Sequence, residues 1–174
     1  MKSHGDIELT SLRRGDSRML FKWINTRPDV LLSAPYKPVH ERSHDQWFET
    51  VRKRPDAVIF AIRMRLSGKL IGYCQLHDIS LLHRSAELQI RLGDAAERGK
   101  GYGSQATRAL VEFAFTDLNL RRVYLHVLST NTAAVGMYRM LGFSKEGQLR
   151  EAVFIGGRYV DLVLMSILKR EDRR

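Results

Sequence analysis

Residues 98–104 read Arg98-Gly99-Lys100-Gly101-Tyr102-Gly103-Ser104, three glycines and two cations in seven positions. A strand pattern precedes them and a helix pattern follows. The first amides of a helix have no partner inside it and carry the positive end of its dipole. Glycines let that backbone approach an anion, and Arg98 and Lys100 add charge. The chemistry on offer is phosphate binding. A P-loop requires Gly-x-x-x-x-Gly-Lys-Ser/Thr, whereas Gly99-Lys100 is followed by Gly101. Residues 101–106 satisfy the loose dinucleotide pattern Gly-x-Gly-x-x-Gly/Ala. That pattern needs an acid at the end of the next strand, and His126-Val127-Leu128-Ser129 offers none. A strand-to-helix turn with no ligand is the plain alternative. Elsewhere, Cys74 sits inside a strand pattern as a small core side chain. His77, His83 and His126 lack metal-ligand spacing, so no metal is expected. Trp23 and Trp47 are either core or the wall of a substrate pocket.

These residues need elements to hold them. Residues 7–12 form a first short strand pattern, and 18–25 a short helix stopped by Pro28. Two prolines in Pro35-Tyr36-Lys37-Pro38 make 33–38 a loop. Ser43-His44-Asp45-Gln46 is a capping-box pattern that would open a helix running to about Lys53. Strands follow at 57–65 and 69–77, flanking Ser67-Gly68, and at 87–92, where Leu88, Ile90 and Leu92 alternate with polar residues. Ala106, Ala109, Leu110, Phe113 and Ala114 give 104–118 an apolar helical stripe. Residues 123–128 form a strand, and 133–141 a short helix ended by Gly142. Gly156-Gly157 joins a hairpin of 151–155 with 158–168. About seven strands and four helices make this an α+β (mixed α/β) domain.

The chain has 174 residues, 44% of them hydrophobic, which suits one packed domain, 1–170, followed by a charged tail, 171–174. One cysteine excludes a disulfide framework and any thiolate zinc site. With no apolar leader and no apolar run of membrane-spanning length, a cytoplasmic protein with no membrane partner is expected. Lys and Arg outnumber Asp and Glu by 29 to 19, a net charge of +10 that favours anionic partners or simply solubility. No basic helix interleaved with aromatics is present, which argues against nucleic acid as the partner.

Arg98-x-x-Gly101-x-Gly103 resembles the pyrophosphate loop of the GNAT N-acetyltransferase superfamily. Asn131-Thr132-Ala133-Ala134-Val135-Gly136-Met137-Tyr138 followed by Leu141-Gly142-Phe143 resembles its second cofactor motif. Residues 83–90, 149–151 and 156–161 resemble the branch holding ribosomal-protein alanine N-acetyltransferases and spermidine N-acetyltransferase. Residues 21–25 and 44–48 are more loosely similar to amino-sugar-nucleotide N-acetyltransferases of that branch.

The resemblance implies acetyl transfer from acetyl-CoA to a primary amine, by direct attack in a ternary complex. It implies a mixed, mostly antiparallel sheet whose central strands 87–92 and 123–128 splay apart. The pantetheine arm would fill the gap against the backbone of Ile90, Arg91 and Leu92, as a strand adds to a sheet edge. The pyrophosphate would rest on Arg98, Gly99, Lys100, Gly101, Tyr102, Gly103 and Ser104. Asn131 would bond the pantetheine amide; by residue type it is also a helix cap. Tyr138 would protonate the departing thiolate and Glu87 would take the amine's proton; their plainer roles are packing and surface pairing. Spermidine enzymes carry acids in the loop before their second helix, whereas 32–37 here has none and adds Lys37. The expected acceptor is therefore an amino-sugar nucleotide or a protein N-terminus, with a polyamine as the alternative. A non-enzymatic CoA- or nucleic-acid-binding module is the competing class. A homo-oligomer is compatible with all of these.

Overall fold

A computed structural model describes residues 2–170; Met1 and the charged tail 171–174 lie outside the described residues. Eight strands form one sheet: β1 (Lys2–His4), β2 (Ile7–Ser11), β3 (Val58–Met64), β4 (Leu70–Ser80), β5 (Ser85–Leu92), β6 (Arg122–Leu128), β7 (Ser144–Ile155) and β8 (Arg158–Leu168). Their order is β1-β2-β3-β4-β5-β6-β8-β7. Every neighbouring pair is antiparallel except β5 and β6. Five helices accompany them: α1 (Ser17–Ile24), α2 (Arg27–Val30), α3 (Glu41–Val51), α4 (Tyr102–Thr116) and α5 (Thr132–Met140). The mixed, mostly antiparallel sheet is the one expected.

Several boundaries differ for physical reasons. β1 is three residues long, too short to show alternation, and folds back on β2 over Gly5 at φ +59°. Pro28 does more than end α1: it stands in the first turn of α2, where its missing N–H costs nothing. The capping-box expectation at 43–46 is incorrect. α3 starts at Glu41 with His40 as its extended N-cap, and the His44 N–H closes the first turn on the His40 carbonyl at 2.9 Å. The chain leaving Pro38 is already extended and can enter the helix at once. β7 begins seven residues earlier than the expected strand at 151. Two register shifts, at Lys145/Gly147 and Leu149/Val153, break its alternation, and most of its residues are exposed. Gly156 and Gly157, at φ +60° and +85°, make the expected two-residue turn.

Alternation in the strands builds two cores, one on each face. Ala106, Ala109, Leu110 and Ala114 of α4 pack on Ile62, Cys74, Leu76, Ala86, Leu88, Val123, Leu125 and Met165. On the other face α1 and α3 lay Leu20, Trp23, Phe48 and Val51 over Ile59, Ala61 and Tyr73. Cys74 is fully buried, as its strand position predicted, and burial pushes its thiol upward. Trp23 is core: a Cβ built on Gly93 would stand 1.9 Å from its ring. Trp47 is a half-buried edge of the same core, tilted on His44 with ring centroids 5.4 Å apart. A buried ion pair ties β3 to the 3-10 turn before α1: Arg63 donates to Asp16 at 2.7 Å and to Thr10 at 3.0 Å.

Candidate active site

The parallel pair β5–β6 is joined through only three positions, Ser85↔Arg122, Ala86↔Val123 and Glu87↔Tyr124. Beyond Glu87 the strands part. β5 keeps β4 as its outer partner through Leu92, and β6 keeps β8 through Leu128. A fork opens between them, and Ile90, Arg91 and Leu92 lie on its β5 prong. A backbone edge of this kind can take an extended amide chain as an added strand. Arg91 Nη2 donates to Ser33 Oγ at 3.1 Å, while its buried Nη1 has no partner.

The glycine loop stands at the open end. Gly99 and Gly101 have φ of +76° and +84°, and nothing lies within 4 Å of a Cβ built on either. Both conformations favour glycine. α4 starts at Tyr102 with no side-chain cap and no acid in its first turn, so the amides of Tyr102, Gly103 and Ser104 remain for an anion. Arg98 leans over the loop, donating to the Leu92 carbonyl at 3.1 Å and to Asp29 of α2 at 2.7 Å. Lys100 reaches Glu97 at 2.9 Å, which also pairs with Lys69. Uncapped amides, open left-handed glycines and an orphaned guanidinium nitrogen together fit a diphosphate with an extended arm.

The polar chemistry sits where the strands part. Glu87 is the last paired residue of β5, and its Oε1 lies 2.8 Å from His126 Nδ1 across the fork. His77, Glu87's partner on β4, and Asp78 complete the group, with one donor atom of His77, Asp78 and Glu87 each within 4.8 Å of the others. Asp78 has φ +51° at a register shift of β4, an uncommon conformation for a residue with a Cβ. Burial, then the nearby Glu87 and Asp78 carboxylates, raise the Tyr124 phenol. The histidine spacing considered in the sequence does not bear on this cluster, which three strands assemble.

Tyr138 projects from α5 into the main core, 7% exposed, with its ring centroid 5.5 Å from Phe143. Burial pushes its phenol up to about 12. Asn131 is the N-cap of α5: its Oδ1 accepts from the Ala134 N–H at 3.1 Å, and its Nδ2 donates to the Leu32 carbonyl at 3.0 Å. The structure thus gathers Glu87 and the β5 edge at one fork and the glycine loop at its mouth. Sequence reasoning missed His126 and Asp78 as neighbours of Glu87. The alternation of Tyr124 and His126 with Val123, Leu125 and Val127 marked His126 as facing away from the core, but nothing local tied it to Glu87. Residues 44–48 prove structural, since His44 is buried and holds Ser17 at 2.9 Å.

A parted parallel pair within an antiparallel sheet, opening onto a glycine turn and an uncapped helix, defines a CoA-dependent N-acetyltransferase. The chain belongs to the GNAT acetyltransferase family: the model of the Acetyltransferase (GNAT) domain matches residues 6–144. It is an acetyl-CoA-dependent N-acetyltransferase of that type. It is 34% identical over 168 residues to the spermidine N(1)-acetyltransferase of Vibrio cholerae, covering 95% of each chain. A crystal structure of spermidine N-acetyltransferase from Vibrio cholerae, in complex with CoA and spermine, superposes with a TM-score of 0.86 at 33% identity, over 94% of this chain and 95% of that one. A Pseudomonas aeruginosa L-methionine sulfoximine/L-methionine sulfone acetyltransferase is 30% identical over 138 residues, 75% of each chain. No helix among the described residues is long and apolar enough to cross a membrane.

Proposed function

We propose that this enzyme acetylates a primary amine of a polycationic, polyamine-like acceptor. The observation that carries this is the acidic floor of the fork. Glu87 and Asp78 stand together beside His77, whose Nδ1 lies 3.0 Å from Asp78 Oδ2, and the two carboxylates offer acceptors for the N–H donors of an ammonium. The likeness to spermidine enzymes over nearly the whole chain supports the same acceptor class. The charge of the 32–37 loop had pointed elsewhere, towards an anionic acceptor. Lys37 is exposed, so its repulsion is that of a charge in water, about 1 kcal/mol at ~4 Å. Glu87, with its side chain 20% exposed, acts at a lower effective dielectric than Lys37, whereas Asp78 at 59% is screened as Lys37 is. The carboxylates come from strands rather than from the loop. Of residues 44–48, which resembled amino-sugar enzymes, His44 and Phe48 are buried and Trp47 lies half-buried against the second core, while Asp45 and Gln46 are exposed.

In this reading Arg98 exchanges Asp29 for a phosphate, and the amides of Tyr102, Gly103 and Ser104 complete the cradle. The edge at Ile90, Arg91 and Leu92 holds the pantetheine amides, with Asn131 as a further donor. The amine enters over Asp78 and Glu87, sheds a proton into that cluster and attacks the thioester carbonyl directly. Tyr138 protects the leaving sulfur by donating its proton. Thiol release from acetyl-CoA across spermidine, spermine, an amino-sugar nucleotide and a peptide with a free N-terminus tests the assignment. A kcat/KM at least about tenfold higher for the polyamines is expected. Faster turnover of the nucleotide or the peptide would overturn the acceptor.

A further inference from the structure

We infer that His126 is the group that takes the proton from the acceptor amine, with Glu87 as the positioning residue that fixes its ring. This rests on the acetyl-transfer reading above and assigns a residue that reading leaves unnamed. His126 lies two residues past Tyr124, the last position of β6 paired to β5. The period of two places it on the same face as Tyr124 and Glu87. The 2.8 Å bond from its Nδ1 to Glu87 Oε1 therefore runs diagonally over the point where the strands separate, the end of any chain threaded between them. An ionised carboxylate can only accept, so Nδ1 carries the hydrogen and Nε2 is left with its lone pair.

The ordinary basicities favour this order. An imidazole near ~6.5 accepts a proton from an ammonium near ~10 more readily than a carboxylate near ~4.3. The imidazolium that forms is stabilised by the carboxylate already bonded to it. Titratable groups near the ring are Glu87 from β5, His77 and Asp78 from β4, gathered on the same carboxylate, and Tyr124 on β6, whose ring stands edge-on at 6.2 Å between centroids. From β8 its partner is Leu164, which brings no charge, and Glu146 of β7 is committed to Arg122 and Ser166. His126 is exposed and Glu87 half-buried, leaving a path for the proton to solvent. The ammonium gives one proton to Nε2, and its lone pair forms the C–N bond as the C–S bond breaks. Tyr138 protonates the sulfur, the second nitrogen proton restores the phenol, and His126 discharges to solvent.

The test uses the full-length enzyme with acetyl-CoA and whichever amine of the panel gives the highest kcat/KM. The wild type is expected to show kcat/KM rising with pH through an acidic limb. His126→Gln should lower kcat by at least about a hundredfold and remove the limb, with KM for acetyl-CoA within twofold. Glu87→Gln should keep the limb, with a smaller loss of kcat. A limb that survives in His126→Gln but vanishes in Glu87→Gln would make Glu87 the acceptor and overturn the inference. Stabilisation by CoA in a thermal shift confirms that each variant is folded. Independently of turnover, NMR of ring-15N histidine in the wild type should show the neutral His126 ring carrying its hydrogen on Nδ1. The opposite tautomer would refute the assignment. Absence of thiol release with every amine in the wild type would instead strike the acetyl-transfer reading itself.

Discussion

Replacing Tyr138 with Phe removes one oxygen from a side chain that is 7% exposed. Burial has pushed that phenol up to about 12, so it keeps its proton throughout any assay near neutrality. Handing the proton to a thiolate with the ordinary value near ~8.5 would run uphill by roughly 5 kcal/mol. The proposed transfer therefore requires a leaving sulfur that is itself desolvated. The same core shows the effect, since burial alone raises the Cys74 thiol. Given such a sulfur, loss of the donor should lower kcat by about 10²–10⁴, with KM for acetyl-CoA within twofold. Stability gives a second readout. A phenol raised from 10.0 to about 12 stabilises the fold fully below pH 10, and that contribution disappears as pH rises through about 12. It corresponds to roughly 3 kcal/mol. Tyr138→Phe should therefore show a shallower loss of stability than wild type between pH 9 and 11.5, followed by urea unfolding, and low kcat at pH 8, followed by thiol release. A kcat within about threefold of wild type would remove Tyr138 from the mechanism.

Three further outcomes are expected. Arg122 and then Ser166 hold the Glu146 carboxyl down to about 2 from 4.5, a contribution present above pH 4.5 and lost as pH falls through about 2. In Glu146→Gln, circular dichroism should show a weaker dependence of stability on pH across that window; an unchanged acid transition would refute the coupling. Gly93→Ala places a methyl group against the Trp23 ring and should cost about 1–3 kcal/mol or more, recovered in part by Trp23→Leu. Strictly additive effects in that double-mutant cycle would show that the two sites do not touch. Asp16→Asn leaves the Arg63 charge buried without its counter-ion and should cost about 3–5 kcal/mol in urea unfolding; a loss below about 1 kcal/mol would mean that water reaches the pair.

What could be read from the residues was local. The glycine loop announced its chemistry because anion binding at a helix start needs only neighbours in sequence: Arg98, the glycines at 99 and 101, and a helix that begins without a cap. The stripe of α4 and the Gly156-Gly157 turn were legible for the same reason. The parting of β5 from β6 was available only through family resemblance, because each strand keeps an ordinary alternation and nothing in it says where pairing stops. The Glu87–His126 contact spans 39 positions and is created by that parting. Residues 144–150, the first part of β7, escaped detection because the two register shifts scramble the period of two. The loop at 32–37 carries the charge visible in the sequence, while the carboxylates of the proposed acceptor site stand on β4 and β5. Of residues 44–48, which resembled amino-sugar enzymes, His44 and Phe48 pack α3 onto α1.

With only three paired positions between β5 and β6, the sheet is two blankets of strands stitched by a single short seam. β1–β5 form one and β6–β8 the other, and α4 seats on the first, against β1, β2, β4 and β5. The β5 side of the slot between the blankets is thus supported from behind, by how α4 seats on that half of the sheet. Changes to Ala106, Ala109 or Leu110, none of which faces the slot, would be felt there as a change in gauge.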